Sequence, residues 1–156
     1  MTITRVERVV YGVADLDECT RFFEDFGLER GAGTRFATQT GQVVELRAAD
    51  DAALPPAVED GSTIREIVWG IDSAEALGEL AAELASDREV TAAAGEVHTV
   101  DETGFGVGLT VSAPTPWNGD RPGLNRTGAE NRWNKTSRAS GPGPPDPAVP
   151  RGAEHP

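Results

Sequence analysis

Eight residues near the start of the chain, Val6-Glu7-Arg8-Val9-Val10-Tyr11-Gly12-Val13, return 58 positions later as Ile64-Arg65-Glu66-Ile67-Val68-Trp69-Gly70-Ile71. The octets agree by type at every position: aliphatic, charged, charged, aliphatic, Val, large aromatic, Gly, aliphatic. Each is followed within two residues by an Asp, Asp15 or Asp72, and then by a stretch of helical periodicity. What recurs is therefore a supersecondary unit, and the chain reads as two copies of one module followed by a tail.

In the first copy, alternation puts Val9, Tyr11 and Val13 on one face of an opening strand and Arg8, Val10 and Gly12 on the other. The more apolar face is expected to meet a helix. Asp15 suits the helix N-cap, with Glu18 as its capping-box partner, and Leu16, Cys19, Phe22, Phe23 and Phe26 form a stripe at three- and four-residue spacing. Gly27 suits the position just past the helix end. A weak strand near residues 28–30 and two strands at 34–38 and 42–47, the latter pair joined by a turn through Thr40-Gly41, complete a β-α-β-β-β order.

Residues 49–62 are acidic and carry Pro55-Pro56, so they read as a linker between module 1 (about 4–48) and module 2 (about 63–112). The second copy restarts with a strand over 63–71 and a helix from Ser73 with the stripe Leu77, Leu80, Ala81 and Leu84. Short strands follow at 89–91, 96–100 and 107–111, the last two joined by a turn through Asp101 to Gly104. Units this small leave a sheet face uncovered when alone. Pairing them gives an α+β domain over residues 1–112, a pseudo-twofold curved mixed sheet with its helices outside.

After Val111 the apolar periodicity stops, and nine of the 11 prolines lie from Pro114 onward. Residues 113–156 therefore read as a disordered Pro/Gly-rich tail or a truncated inter-domain linker, with Trp117, Trp133 and five basic residues between 118 and 140. The folded part holds 22 acids against 8 bases, a net −14, which repels phosphate backbones and argues against nucleic acid as a partner. The single cysteine, Cys19, excludes an intrachain disulfide and is expected to be a buried, inert thiol. No stretch approaches the roughly 20 apolar residues of a bilayer span, and no leader pattern precedes the first strand, so a cytoplasmic protein without a membrane partner is expected.

Two tandem β-α-β-β-β modules, each opening on this octet and followed by Asp and a helix, resemble the vicinal oxygen chelate superfamily, which includes glyoxalase I, bleomycin-resistance proteins and extradiol ring-cleaving dioxygenases. The strongest local match is Asp15-Leu16 with Phe22-Phe23 and Phe26-Gly27-Leu28. The resemblance implies four inward positions that, in metal-using members, converge His and Glu side chains on one divalent ion. The matching positions here hold Arg8, Glu45, Glu66 and Gly108. A guanidinium cannot ligate a cation and repels it. Arg8 and Glu66, equivalent by the repeat, are expected to form an ion pair where the metal would sit, so no metal and no other cofactor is expected in this chain. Fe(II) or another divalent ion is expected in full-length or active relatives.

No catalytic residue is assigned. His98 is a candidate cleft residue without a second histidine to join it, since His155 stands one residue from the C-terminus. By the resemblance, the chain looks like the ligand-poor, non-catalytic N-terminal half of a two-domain extradiol dioxygenase whose second half is absent. The alternatives are a stand-alone binding protein of the bleomycin-resistance type, taking an aromatic or other small organic ligand between the modules, and a metal-dependent glyoxalase-like lyase or isomerase. Tyr11 and Trp69 are candidate walls of such a ligand site, although their faces are expected to pack on the helices. Sheet edges that need cover make a homo-oligomer an expected state.

Overall fold

A computed structural model describes residues 2–116 and Gly119; with that one exception, the tail reading for 117–156 lies outside the described residues. The elements run β1 (Ile3–Val13), α1 (Leu16–Phe26), β2 (Glu29–Arg30), β3 (Arg35–Ala37), β4 (Val43–Ala48), β5 (Thr63–Ile71), α2 (Ala74–Leu84), β6 (Thr91–Ala93), β7 (Glu96–Val100) and β8 (Gly106–Val111). This is β-α-β-β-β twice. All eight strands join one mixed, curved sheet in the order β2-β3-β4-β1-β5-β8-β7-β6.

The two octets meet at the centre of that sheet. β1 and β5 are antiparallel, with Val9 opposite Ile67, Arg8 opposite Val68 and Val10 opposite Glu66. Val9 and Ile67 are the fourth residues of their octets, so the pseudo-twofold axis passes through this pair and each octet is laid against its own copy reversed. Outward from the axis the pattern repeats: β1 lies parallel to β4 and β5 parallel to β8.

The octet's glycine has a steric cause. Three register shifts leave Thr4 and Glu7 unpaired on β1 and Arg65 unpaired on β5, and Glu7 and Arg65 stand at equivalent places in the repeat. The side chains of these two cross the glycine of the opposite octet. A Cβ on Gly12 would lie 2.9 Å from Arg65 Nη1 and 3.0 Å from its Cγ; on Gly70 it would lie 2.7 Å from Glu7 Oε1 and 3.0 Å from its Cγ. The bulged residues then diverge in use. Arg65, only 7% exposed, donates to the carbonyls of Pro55 and Ala49 and so anchors the 49–62 linker. Glu7 accepts the Ser112 hydroxyl and faces Arg5.

Both helices begin as their caps dictate. Asp15 accepts from the Glu18 amide at 2.8 Å and Ser73 from the Ala76 amide at 3.2 Å. At the end of α1, Gly27 takes the left-handed conformation (φ 98°) and the Leu28 amide reaches back to the Phe23 carbonyl. α1 covers its half of the sheet by packing on Val13, Phe36 and Leu46 through Leu16, Cys19 and Phe23; α2 covers the other half through Ala76, Leu77 and neighbours on Ile71, Val97 and Leu109. Tyr11 and Trp69 pack into these two cores, as their strand faces predict. Cys19 is half-buried, its thiol pushed up by burial and by Glu18 and Asp15. No helix among the described residues is long and apolar enough to cross a membrane.

Two details depart from the sequence reading. Phe22 and Phe26, expected in the apolar stripe, are 59% and 71% exposed and stack on each other with ring centroids 6.0 Å apart. The residue that is buried is Thr20. Two residues apart on an α-helix, Thr20 and Phe22 lie on nearly opposite faces. In the second module, β6 begins at Thr91 where the sequence suggests a strand over 89–91, and the hairpin to β7 turns on Ala94 and Gly95, both at positive φ. An alanine there gives no turn signal in the sequence.

Candidate functional site

The sheet face opposite the helices curves into a cleft of about 520 Å³. Strand alternation delivers its walls. Arg8 and Val10 come from β1, Arg35 from β3, Glu45 and Arg47 from β4, Glu66 from β5, and Glu96 and His98 from β7. Leu54 and Pro55 of the linker close one side. Three of the four positions singled out by resemblance, Arg8, Glu45 and Glu66, thus share one cleft, and His98 joins them.

Gly108 contributes space instead of a donor. It stands opposite His98 on the neighbouring strand, and a Cβ there would meet Val68 Cγ2 at 2.7 Å. Its register partner Val68 occupies the place in β5 that Val10, the partner of Glu45, occupies in β1. Gly108 is therefore the true repeat counterpart of Glu45.

The expected ion pair between Arg8 and Glu66 does not form. Arg8 donates from Nη1 and Nη2 to the two carboxylate oxygens of Glu96 at 2.9 and 2.5 Å, and its Nε lies 3.4 Å from Glu45 Oε2 in an ion pair without hydrogen-bond geometry. Glu66 instead meets His98 Nδ1 at 2.7 Å. The reason is geometric. The residue opposite Glu66 is Val10, which leaves Arg8 on a diagonal, whereas sheet curvature brings β7 over the cleft toward β1. β1 and β7 are separated by β5 and β8, about 14 Å along a flat sheet. Bidentate contact across that interval requires the sheet to fold toward itself, and the glycines of β8 leave the intervening strand bare.

The result is one continuous chain of charge: Glu66, His98, Glu96, Arg8, Glu45, Arg35. His98 Nε2 lies 3.5 Å from Glu96 Oε2, and Arg35 donates to Glu45 at 2.7 Å. Burial opposes the charge on both Glu96 and Arg8, yet each is held charged by the other. The hydrogen bonds and field of Arg8, aided by His98 and Arg35, hold Glu96 below its ordinary value of 4.5, while Glu96, Glu45 and Glu66 raise Arg8. Glu96, Arg35 and Arg47 escape the sequence reading. The one available signal is that Glu96 and His98 stand two apart on a strand and hence share a face.

Among the described residues no group of three or more His, Cys, Asp or Glu is arranged to hold a metal ion. Arg8 sits between Glu45 and Glu96, and Gly108 offers no ligand. The donor set does not fit a divalent ion.

No protein-family model and no curated protein sequence matches the chain. Solved structures do match by fold. The Mn(II)-bound glyoxalase from Novosphingobium aromaticivorans aligns with 24% identity and a TM-score of 0.53 over 80% of this chain and 43% of its own. BphC, a halotolerant catechol dioxygenase, aligns with 18% identity and a TM-score of 0.53 over 74% of this chain and 42% of its own. An extradiol ring-cleaving dioxygenase from B. fuscum gives 10% identity and a TM-score of 0.52 over 73% and 34%. The chain shares its fold with these glyoxalase and dioxygenase structures, the fold that the resemblance of the octets and helix residues implies. The chain spans less than half the length of these proteins.

Proposed function

We propose that the paired module is a metal-free unit of a ring-cleavage-type protein, one in which chemistry belongs to a second, metal-bearing unit. The observation that carries this reading is the Arg8 guanidinium, bound by Glu96 and flanked by Glu45, in the cleft that the two modules share. A fixed cation among the carboxylates removes both the vacancy and the negative charge that a divalent ion requires. The coverage supports the same reading, because the chain aligns with under half of each of these longer dioxygenase and glyoxalase chains. Its role is then structural: to present a preformed sheet and helices to the catalytic unit.

The test is elemental analysis of the purified chain after incubation with Fe(II), Mn(II) or Zn(II) and dialysis. The reading expects less than about a tenth of an equivalent of any ion, against the whole equivalent of an occupied site. One equivalent contradicts it and restores the glyoxalase-like alternative. Gene sequence downstream of codon 156 supplies a second check: a further paired-module unit in some frame supports the reading, and none in any frame counts against it.

The cleft favours a second reading. Its volume of about 520 Å³ suits a small organic molecule. On this reading the chain sequesters its ligand, and catechols are the first probes by analogy with the dioxygenases it resembles in fold. A binder gains melting temperature as ligand rises, following RT ln(1 + [L]/Kd); a flat response across phenols, catechols and organic cations removes the reading. Size-exclusion chromatography tests the accompanying proposal that the module pairs with a second copy.

A further inference from the structure

The two helices correspond position for position in the repeat, Leu16–Phe26 against Ala74–Leu84, yet they lie on the sheet by different faces. α2 buries Ala76 and Leu77 and packs Leu80, Ala81 and Leu84 on its core, whereas α1 buries Thr20 and packs Leu16, Cys19 and Phe23. At about 100° of turn per residue, the two contact faces differ by a roll of roughly 80° about the helix axis. Phe23 accounts for the roll. It stands where α2 has Ala81, and its ring fills the space beside Tyr11 and Phe36, with centroids 6.0 and 5.6 Å away. Phe22 and Phe26, the counterparts of Leu80 and Leu84, are thereby carried out to 59% and 71% exposure.

The exposed rings are held in place. Phe22 stacks on Phe26 and meets Phe23 edge-to-face at 5.2 Å, so the pair extends an aromatic row rooted in the core. Acids flank it. Glu18 stands four residues before Phe22 and Asp25 three after, both exposed and both without an ion-pair partner among the described residues. The last turn of α1 holds Glu24 and Asp25 and no base, so negative side chains sit at the negative end of the helix dipole. Arg30 offsets Glu24 alone.

We propose that the outer face of α1, centred on Phe22 and Phe26, docks a cationic amphipathic segment of a partner protein. Its apolar side chains cover the two rings, and its Lys or Arg side chains meet Glu18, Asp25 and the carboxyl end of the helix. Charge selects this occupant. A second copy brings the same acids to the same place, and nucleic acid or an anionic lipid surface is repelled by them. Size agrees, because the two rings expose roughly 250 Å², a fraction of the roughly 800 Å² that each side brings to a stable interface. That area suits a short segment held transiently. The face lies across the sheet from the cleft, so docking here is independent of what the cleft holds.

The experiment titrates the full chain into a dye-labelled Leu/Lys peptide of helical amphipathic pattern, read by fluorescence anisotropy, with a Leu/Glu peptide of the same pattern as control. The Leu/Lys peptide should saturate, and the Leu/Glu peptide should bind at least about tenfold more weakly. Phe22→Ser with Phe26→Ser should weaken the Leu/Lys peptide by about tenfold or more, since the rings are the anchors. Glu18→Lys with Asp25→Lys carries the test if the serine pair does not fold, with a loss of similar size. Glu79→Lys with Glu83→Lys makes the same change of charge on the exposed side of α2 and should shift binding by less than about twofold. Failure of the Leu/Lys peptide to saturate overturns the proposal. So do folded serine variants that bind like wild type, or an α2 variant that loses as much as the α1 charge variant, because attachment is then to the net charge of the molecule. A wild type that doubles in mass with concentration, and stays single once Phe22 and Phe26 are serine, overturns it in favour of a second copy.

Discussion

Arg8 and Glu66 occupy the same place in two copies of one module, as do Arg35 and His98, and Glu45 and Gly108. The first module lends the cleft Arg8, Arg35 and Arg47 against one acid, Glu45; the second lends it Glu66, Glu89, Glu96 and His98. Duplication supplies two frameworks of one topology, and divergence at the inward positions gives their shares of the cleft opposite net charge. The attraction between halves is then built into the cleft, where Arg8 of one module grips Glu96 of the other. A symmetric pair of acidic modules would need a bound cation to close the same gap. This pair carries its own.

Substitutions can break that comparison at graded strength. Arg8→Ala should have the largest effect, a loss of about 3 kcal/mol in denaturant unfolding, because it leaves Glu96 partly buried without its guanidinium partner and Glu45 with Arg35 alone. A loss under about 0.5 kcal/mol, the size of an ordinary surface change, would mean that the modules hold together without it.

Next come the octet glycines. Gly12→Ala and Gly70→Ala should each cost about 1–3 kcal/mol through overpacking against the bulged residue opposite. The two should differ in rescue. Shortening Glu7 to Ala should relieve Gly70→Ala, since Ser112 and Arg5 are its side-chain polar partners among the described residues. Shortening Arg65 should not relieve Gly12→Ala, because it frees the linker from its anchor. Equal rescue would erase this asymmetry between the modules.

Acid unfolding gives a smaller, signed effect. Glu96 is held below its ordinary value of 4.5, so its contribution is fully present above that pH and lost as pH falls through the lower folded value. Glu96→Gln should lower stability at pH 7 and flatten the decline below pH 4.5; an unchanged acid limb would remove Glu96 from the network. The smallest effect belongs to the helices. Phe22→Ser should change stability by no more than about 0.5 kcal/mol, whereas Leu80→Ala, at the equivalent place in α2 but packed on the core, should cost about 1–2 kcal/mol.

The fold was largely legible in the sequence because its determinants are local. Octet repetition, caps at Asp15 and Ser73 and the glycine at 27 act within a few residues, and the strands over 63–71 and 96–100 match their expected bounds. The cleft was legible only by membership. Alternation places Arg8, Glu45, Glu66 and His98 on inward faces, yet it cannot say which of them meet. That depends on curvature, which carries β7 across two strands to Arg8, and curvature is a property of the whole sheet. The exposure of Phe22 and Phe26 was hidden for a related reason: apolar residues at helical spacing define a stripe, but the face that packs on the sheet runs through Leu16, Cys19 and Phe23 with Thr20 buried beside them.

The central claim is that opposite charges on equivalent modules couple across the cleft, and a double-mutant cycle between Arg8→Met and Glu96→Gln measures it most directly. The account predicts that the two losses of unfolding free energy fall short of adding, with a coupling of about 1–3 kcal/mol. Additivity within about 0.3 kcal/mol would contradict it, for the modules would then be joined by β1 and β5 alone.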